Sequence, residues 1–378
     1  MANEYEIEIN GQPTRYSTKM RKFKMYFAEP EGRHDAYTGI LLLIAGYGGN
    51  AGSKVYQKMR RQFADDYNLV TLQCDYLGYQ YMQNNHHLEM TEDMLRHVLT
   101  PREFHALRRD YAANRGVMSG KVFSGEITLG ETAEDFNEMG LWQAMDNLMA
   151  VKLLIDIMKE NGLDYCPDRV YIYGQSHGAY LAYLCNFLAP GLFAGIIENS
   201  AYLFPYFWQH DREVTKEGEL FTLHKVYHYW LADREIDRES YDLRYLYNSF
   251  ENEAQIIVYH GEDDEMIPLQ EKQEFLAEIK NVSLHVVTKE MVDGIKFCST
   301  GHSLGADFLL IFEEAVGELE TAIRRGNRGK ELLEGSGRGR EGIDGEITGR
   351  ICHDISFQTE RCRYEVRWGS GIPVLKWN

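Results

Sequence analysis

Positive charge is in short supply: 40 lysines and arginines stand against 58 aspartates and glutamates, a formal net charge of −18. A nucleic-acid backbone would be repelled by that balance, so no nucleic-acid partner is expected. Cysteine is sparse as well. The six copies, Cys74, Cys166, Cys185, Cys298, Cys352 and Cys362, form no CxxC pair and no zinc-like spacing, which argues against a disulfide framework and reads as reduced thiols. No apolar run approaches the length of a membrane span, the longest covering residues 40–45, so no membrane partner is expected. The start, Met1-Ala2-Asn3-Glu4-Tyr5-Glu6, lacks the basic opening and apolar core of a secretion signal, and a cytoplasmic location is the expectation. Repeats are absent. His86-His87 is the one adjacent histidine pair, but without carboxylates at ligand spacing it reads as surface; neither metal nor cofactor is implied. Nothing in the composition speaks to oligomeric state.

What is present suits a large α/β protein. Apolar residues make up 44% of the 378 and aromatics 12%, enough for a substantial core. Residues 5–9 and 23–28 alternate polar and apolar, as half-exposed antiparallel strands do. Residues 40–45 form a continuous apolar run ending in glycines, and shorter runs follow at 69–74, 170–173, 195–198, 256–259 and 283–287. Helical spacing fills most of the gaps, at 55–66, 136–161, 177–188, 269–280 and 304–324, which predicts a mostly parallel sheet of eight strands. Two stretches break the alternation, 81–135 and 202–253; both read as lid or cap insertions, the first as helical pieces plus a polar loop. Beyond this domain (1–324), residues 325–342 are rich in Gly and Arg and read as a linker. Residues 343–378 read as a small β-rich tail, with strands best placed at 347–357 and 363–368.

Four segments carry chemistry. Gly174-Gln175-Ser176-His177-Gly178 matches G-x-S-x-G, with a β-branched strand before it and an Ala/Leu/Tyr-rich helix after it. A strand turning sharply into a helix forces the serine into strained backbone and needs small neighbours. A second match, Gly301-His302-Ser303-Leu304-Gly305, follows a charged stretch that reads poorly as a buried strand, so Ser303 is a decoy. An acidic turn, His260-Gly261-Glu262-Asp263-Asp264-Glu265-Met266-Ile267-Pro268, follows the strand at 256–259. Finally, Ala45-Gly46-Tyr47-Gly48-Gly49 offers backbone N–H groups at the end of a buried strand; a phosphate loop is the rival reading, but no Gly-Lys-Ser/Thr follows.

Glycine loop, serine turn, acidic turn and late histidine, in that order, resemble the α/β-hydrolase family. The stretch 173–202, with HGEDDEMIP at 260–268, is similar to the catalytic domains of prolyl-oligopeptidase-like enzymes and related esterases; more faintly, the whole chain resembles a bacterial group of hydrolase-fold proteins. The resemblance implies an eight-stranded mostly parallel sheet with helices on both faces, and a serine hydrolase acting on a small-molecule acyl substrate. It puts Asp264 at the acid position of an HGxxDxxVP turn, with Ile267 for Val and Asp263 as the alternative. Of the histidines after it, His285 sits mid-strand and His353 in the tail, which leaves His302 as the base. By likeness to HGGG-type loops, the oxyanion donors are the N–H groups of Tyr47 and His177, with Ala45 replacing the usual first histidine. Tyr202, Phe204, Phe207 and Trp208 are candidates for a pocket wall, core packing being the equal alternative. A peptidase or amidase and a silent binding protein are the competing functions.

Overall fold

In a computed structural model of the chain, residues 1–32, 34–83, 88–208, 211–333, 354–368 and 373–377 are described. They divide into two units: residues 1–79, 138–205 and 237–378 form the first, and 80–137 with 206–236 the second.

The first unit is built on eight strands: β1 (Asn3–Asn10), β2 (Lys22–Glu29), β3 (Gly39–Ile44), β4 (Leu69–Cys74), β5 (Val170–Gln175), β6 (Gly195–Asn199), β7 (Gln255–Gly261) and β8 (Val282–Val287). Their order across the sheet is β1-β2-β4-β3-β5-β6-β7-β8. Only β2 runs against the rest, antiparallel to both β1 and β4. Among the described residues the unit's longer helices are α1 (Lys54–Tyr67), α2 (Leu141–Glu160), α3 (His177–Leu188), α4 (Leu269–Ala277) and α5 (Phe308–Leu333), with a short one at Leu243–Tyr247.

Strand alternation explains why the central strands read as unbroken apolar runs. Leu41, Leu43, Tyr171, Tyr173, Ile197, Ile257 and Tyr259 point to one face, where they join Met59 and Phe63 of α1 and Phe312, Ala315 and Leu319 of α5 in one cluster. Their neighbours Leu42, Ile172, Ile196 and Val258 face the other way and are equally buried. On that second side α2 packs against α3. Both faces are covered, so no strand position is left for polar alternation. This is the α/β-hydrolase fold, and it brings the carboxyl ends of β3, β5, β6 and β7 together along one edge.

The end of the core domain departs from the expectation in two ways. The last core helix begins at Phe308 rather than 304, because residues 298–305 are taken up in a hydrogen-bonded loop. It then runs on to Leu333, so the first part of the expected 325–342 linker is helical, while 334–353 lie outside the described residues. The tail forms a three-stranded antiparallel sheet, Ile355–Gln358, Arg363–Arg367 and Val374–Trp377. Within the first unit it packs against the end of α3 and against Tyr245. Trp368 donates its indole N–H to the Leu188 carbonyl at 3.2 Å, Tyr245 donates to the Gln358 carbonyl at 2.7 Å, and the Phe357 ring lies 5.1 Å from Phe187.

The second unit holds its own sheet. Lys121–Ile127 pairs in parallel with Phe221–Tyr227, which pairs antiparallel with Arg212–Glu217. Leu99, Phe104, Leu107, Met118 and Phe123 form its core. Only 206–236 of the expected 202–253 insertion belongs here. Residues 237–253 belong to the first unit, where Leu243, Leu246 and Tyr247 are buried.

Candidate active site

At the carboxyl end of β5 the chain turns into α3 through a single residue, Ser176, at φ 51° and ψ −115°. Such backbone costs a non-glycine residue roughly 1–3 kcal/mol and persists only where the surroundings impose it. Here they do. The Ser176 N–H donates to the Asn199 carbonyl at 2.7 Å. A Cβ on Gly178 would run into the Ile44 carbonyl, and one on Gly174 into the backbone of Gly178. Both glycines are therefore required by the closeness of β3, β5 and α3.

Ser176 Oγ lies 2.8 Å from His302 Nε2. On its other side, His302 Nδ1 lies 3.0 Å and 3.2 Å from the two carboxylate oxygens of Asp264. Asp264 Oδ1 also accepts from the N–H of Met266 at 2.9 Å and of Ile267 at 3.2 Å. Burial alone would raise this carboxyl; the hydrogen bond and charge of His302, with His260 and the Ile267 N–H, outweigh burial and hold it below the usual carboxylate range. An ionised Asp264 can only accept, so Nδ1 carries the proton and Nε2 is left to accept from the serine hydroxyl. The alternative acid is occupied elsewhere: Asp263 accepts from Thr300 Oγ1 at 2.7 Å and pairs with Lys289 at 3.3 Å. His285, the other described histidine considered, pairs with Glu318 at 2.8 Å, and His353 lies outside the described residues.

The glycine loop runs beside the serine. A Cβ on Gly46 would sit 2.9 Å from the Gln175 carbonyl and 3.6 Å from Ser176 Cβ. Gly48, at φ 86°, and the bond from Gly49 N–H to the Gly46 carbonyl at 2.9 Å close the turn that carries Tyr47. His177 is the first residue of α3, where an N–H has no carbonyl of its own helix to bond. Its side chain is another matter. The structure buries it completely. Nε2 donates to Gln143 Oε1 at 2.6 Å, Nδ1 accepts from the Tyr202 hydroxyl, and Gln143 in turn donates to the Leu77 carbonyl at 2.7 Å. Burial drives the imidazole down to about 3, so it is neutral and serves as a brace under the serine turn.

The aromatic wall needs the same correction. Tyr202 and Phe204 are 3% and 1% exposed, with Tyr202 stacked on Tyr180 at 4.8 Å, so they are core residues. Phe207 belongs to the second unit, half-buried beneath Arg212, and the Trp208 side chain lies outside those described. His86 and His87 are also outside the described residues.

Sequence reading missed the turn at the end of β6. Glu198 and Lys272 form a fully buried pair at 3.1 Å, with Lys272 also donating to the Ala201 carbonyl at 2.6 Å and Glu198 accepting from Tyr183 at 3.0 Å. An acidic residue closing the apolar run 195–198 was the visible signal; its partner, 74 residues away, had none.

Residues 116–324, over half of the chain, match the family described as DUF2920, protein of unknown function. The chain belongs to the DUF2920 family. The span shared with DUF2920 contains Ser176, Asp264 and His302, whereas Tyr47 precedes it. No curated protein matches the chain. Among solved structures it is similar to Est1E from Butyrivibrio proteoclasticus, at 14% identity and TM-score 0.44 over 80% of this chain and 95% of that one. It is similar to the esterase Pf2001 of Pyrococcus furiosus at 12% identity and TM-score 0.45, over 85% and 92% of the two chains. It is also similar to an acylaminoacyl peptidase at 13% identity and TM-score 0.45, over 90% of this chain and 43% of that one. Among the described residues no helix is long and apolar enough to cross a membrane.

Proposed function

We propose that the protein is a serine hydrolase that cleaves an ester or other acyl bond of a small molecule. The reading rests on one observation: an unbroken line of contacts from a strained serine through His302 to a buried carboxylate, 2.8 Å and then 3.0 Å. Ser176 attacks the acyl carbonyl while His302 takes its proton at Nε2. Asp264 holds the ring and stabilises its charged form. Backbone N–H groups of Tyr47 and His177 receive the negative oxygen of the tetrahedral intermediate, each donor worth about 3 kcal/mol in such sites. His302 returns the proton to the leaving group, and water then releases the acyl group from Ser176. The second unit is inserted between β4 and α2 and between β6 and β7, after strand carboxyl ends where doubly wound sheets bind ligands, and a cap role for it belongs to the same proposal.

Hydrolysis of a chain-length series of p-nitrophenyl esters by wild type and Ser176→Ala tests the proposal. Turnover that disappears in the variant is the expected result, and the preferred chain length sizes the acyl site. Equal turnover by both would overturn the assignment of Ser176. Turnover of peptide or amide substrates in place of esters would move the protein to the peptidase reading.

A further inference from the structure

The loop that carries His302 is strained. Ser303, Leu304 and Gly305 run consecutively at φ 65°, 62° and 52°, a conformation unfavourable to any residue with a Cβ and stable only where neighbours fix it. One anchor lies upstream, where the Thr300 carbonyl accepts from the Asp263 N–H at 3.1 Å. The other lies immediately downstream of the histidine. Ser303 N–H donates to Ser200 Oγ at 3.1 Å, and the Ser303 carbonyl accepts from Asn199 Nδ2 at 3.4 Å.

Ser200 is itself left-handed, at φ 57°, and fully buried. Its hydroxyl donates to Asn199 Oδ1 at 3.0 Å, and its N–H to the Tyr259 carbonyl at 3.0 Å. Asn199 gives its own carbonyl to the Ser176 N–H. A two-residue turn at the end of β6 thus grips both the nucleophile's backbone and the residue after the histidine, and the buried Glu198–Lys272 pair fastens that turn from below. We infer that Ser200 is a positioning residue: through the Ser303 N–H its hydroxyl fixes His302 against Ser176. The inference rests on the triad reading above for its catalytic consequence, though not for the geometry.

Ser200→Ala is the decisive variant, because alanine keeps the Cβ and the backbone strain already present and removes only the hydroxyl. Ser200→Gly removes the whole side chain and relieves the left-handed strain that serine already bears. The expected result is that both lose about 10- to 100-fold in kcat on a p-nitrophenyl ester, with KM within about twofold, while Ser200→Ala melts at a lower temperature than Ser200→Gly, which loses the same bonds but sheds the strain. Carbethoxylation of His302 by diethyl pyrocarbonate, followed by mass spectrometry, is expected to run several-fold faster in Ser200→Ala as the loop loosens. Ser200→Ala with wild-type kcat and wild-type carbethoxylation would overturn the inference, and so would a loss confined to Ser200→Gly, which would assign the effect to backbone freedom and not to the hydroxyl. If wild type shows no Ser176-dependent turnover, the triad reading fails by itself. The carbethoxylation rates then decide alone whether Ser200 holds His302.

Discussion

Residues 174–178 and 301–305 both spell G-x-S-x-G, and the chain folds them in unlike ways. In the first, a buried strand passes directly into a helix, and the glycines have no room for a Cβ on either side of the serine. In the second no strand precedes the pattern. The N–H groups of Cys298 and Ser299 both donate to the Leu304 carbonyl, at 3.1 Å and 2.9 Å, and Ser303 is tied down by its backbone. Gly301 there has space, its Cβ position meeting only Ser299 Oγ at 3.2 Å. A glycine-bracketed serine therefore reports by itself neither a tight backbone nor a nucleophile. Chemistry comes from which elements meet at the turn: in the first copy the hydroxyl faces His302, and in the second the histidine itself is the residue delivered.

That contrast can be broken most sharply by exchanging serines. Ser176→Ala is expected to lower kcat on an activated ester by at least about 10⁴-fold, whereas Ser303→Ala keeps its backbone bonds and costs less than about tenfold. Comparable losses in both would erase the distinction. The adjacent acids form the next pair: Asp264→Asn should lower kcat about 10³- to 10⁴-fold by releasing the His302 tautomer, while Asp263→Asn, which loses contacts to Thr300 and Lys289, costs only a few-fold in steady-state assays. Among the glycines, Gly178→Ala should destabilise by more than about 3 kcal/mol and Gly301→Ala by less than about 1 kcal/mol, read from urea unfolding.

The smallest effects separate two buried carboxyls shifted in opposite senses. Glu138 caps α2, accepting from the N–H groups of Gly140 at 2.9 Å and Trp142 at 3.1 Å, yet burial raises it from an ordinary 4.5 to about 7. The folded state then holds a proton that the unfolded chain gives up, so this contribution to stability is full below pH 4.5 and declines as pH rises to 7. Asp264 is lowered, so its contribution is full above the ordinary value of 3.8 and is lost as pH falls through the folded value. Thermal unfolding across pH should show Glu138→Gln flattening the profile between 4.5 and 7, on the order of 3 kcal/mol, and Asp264→Asn flattening it below 4. Variant and wild-type profiles that run parallel would contradict both assignments.

The main sheet was legible because burial on both faces writes itself as largely apolar runs: the strand Leu69–Cys74 lies where its pattern puts it, and so does the helix His177–Leu188 that packs on the sheet. The sheet of the second unit was not. Its strands Arg212–Glu217 (REVTKE) and Lys121–Ile127 (KVFSGEI) are half exposed and charged, and the parallel pairing of residues 100 apart leaves no local trace. In the site, Ser176 and His302 carried readable context, whereas Asp264 stood ahead of Asp263 only by its place in the HGxxDxxVP-like turn, and it is the fold that turns Asp264 toward the histidine and Asp263 toward Thr300. Tyr202 and Phe204 show the limit of composition, since an aromatic cluster looks alike whether it lines a pocket or fills a core. Ser200 and Asn199 had no signal, because a polar turn acquires meaning only once β6 is seen beside β5 and the His302 loop.

The central claim is that Ser176, and not Ser303, is the nucleophile. Reaction of the whole chain with a fluorophosphonate, followed by peptide mapping, tests it most directly. One label per chain on Ser176, absent from Ser176→Ala and markedly slowed in His302→Ala, is the predicted result. A label on Ser303, or an unlabelled wild type, would contradict the account.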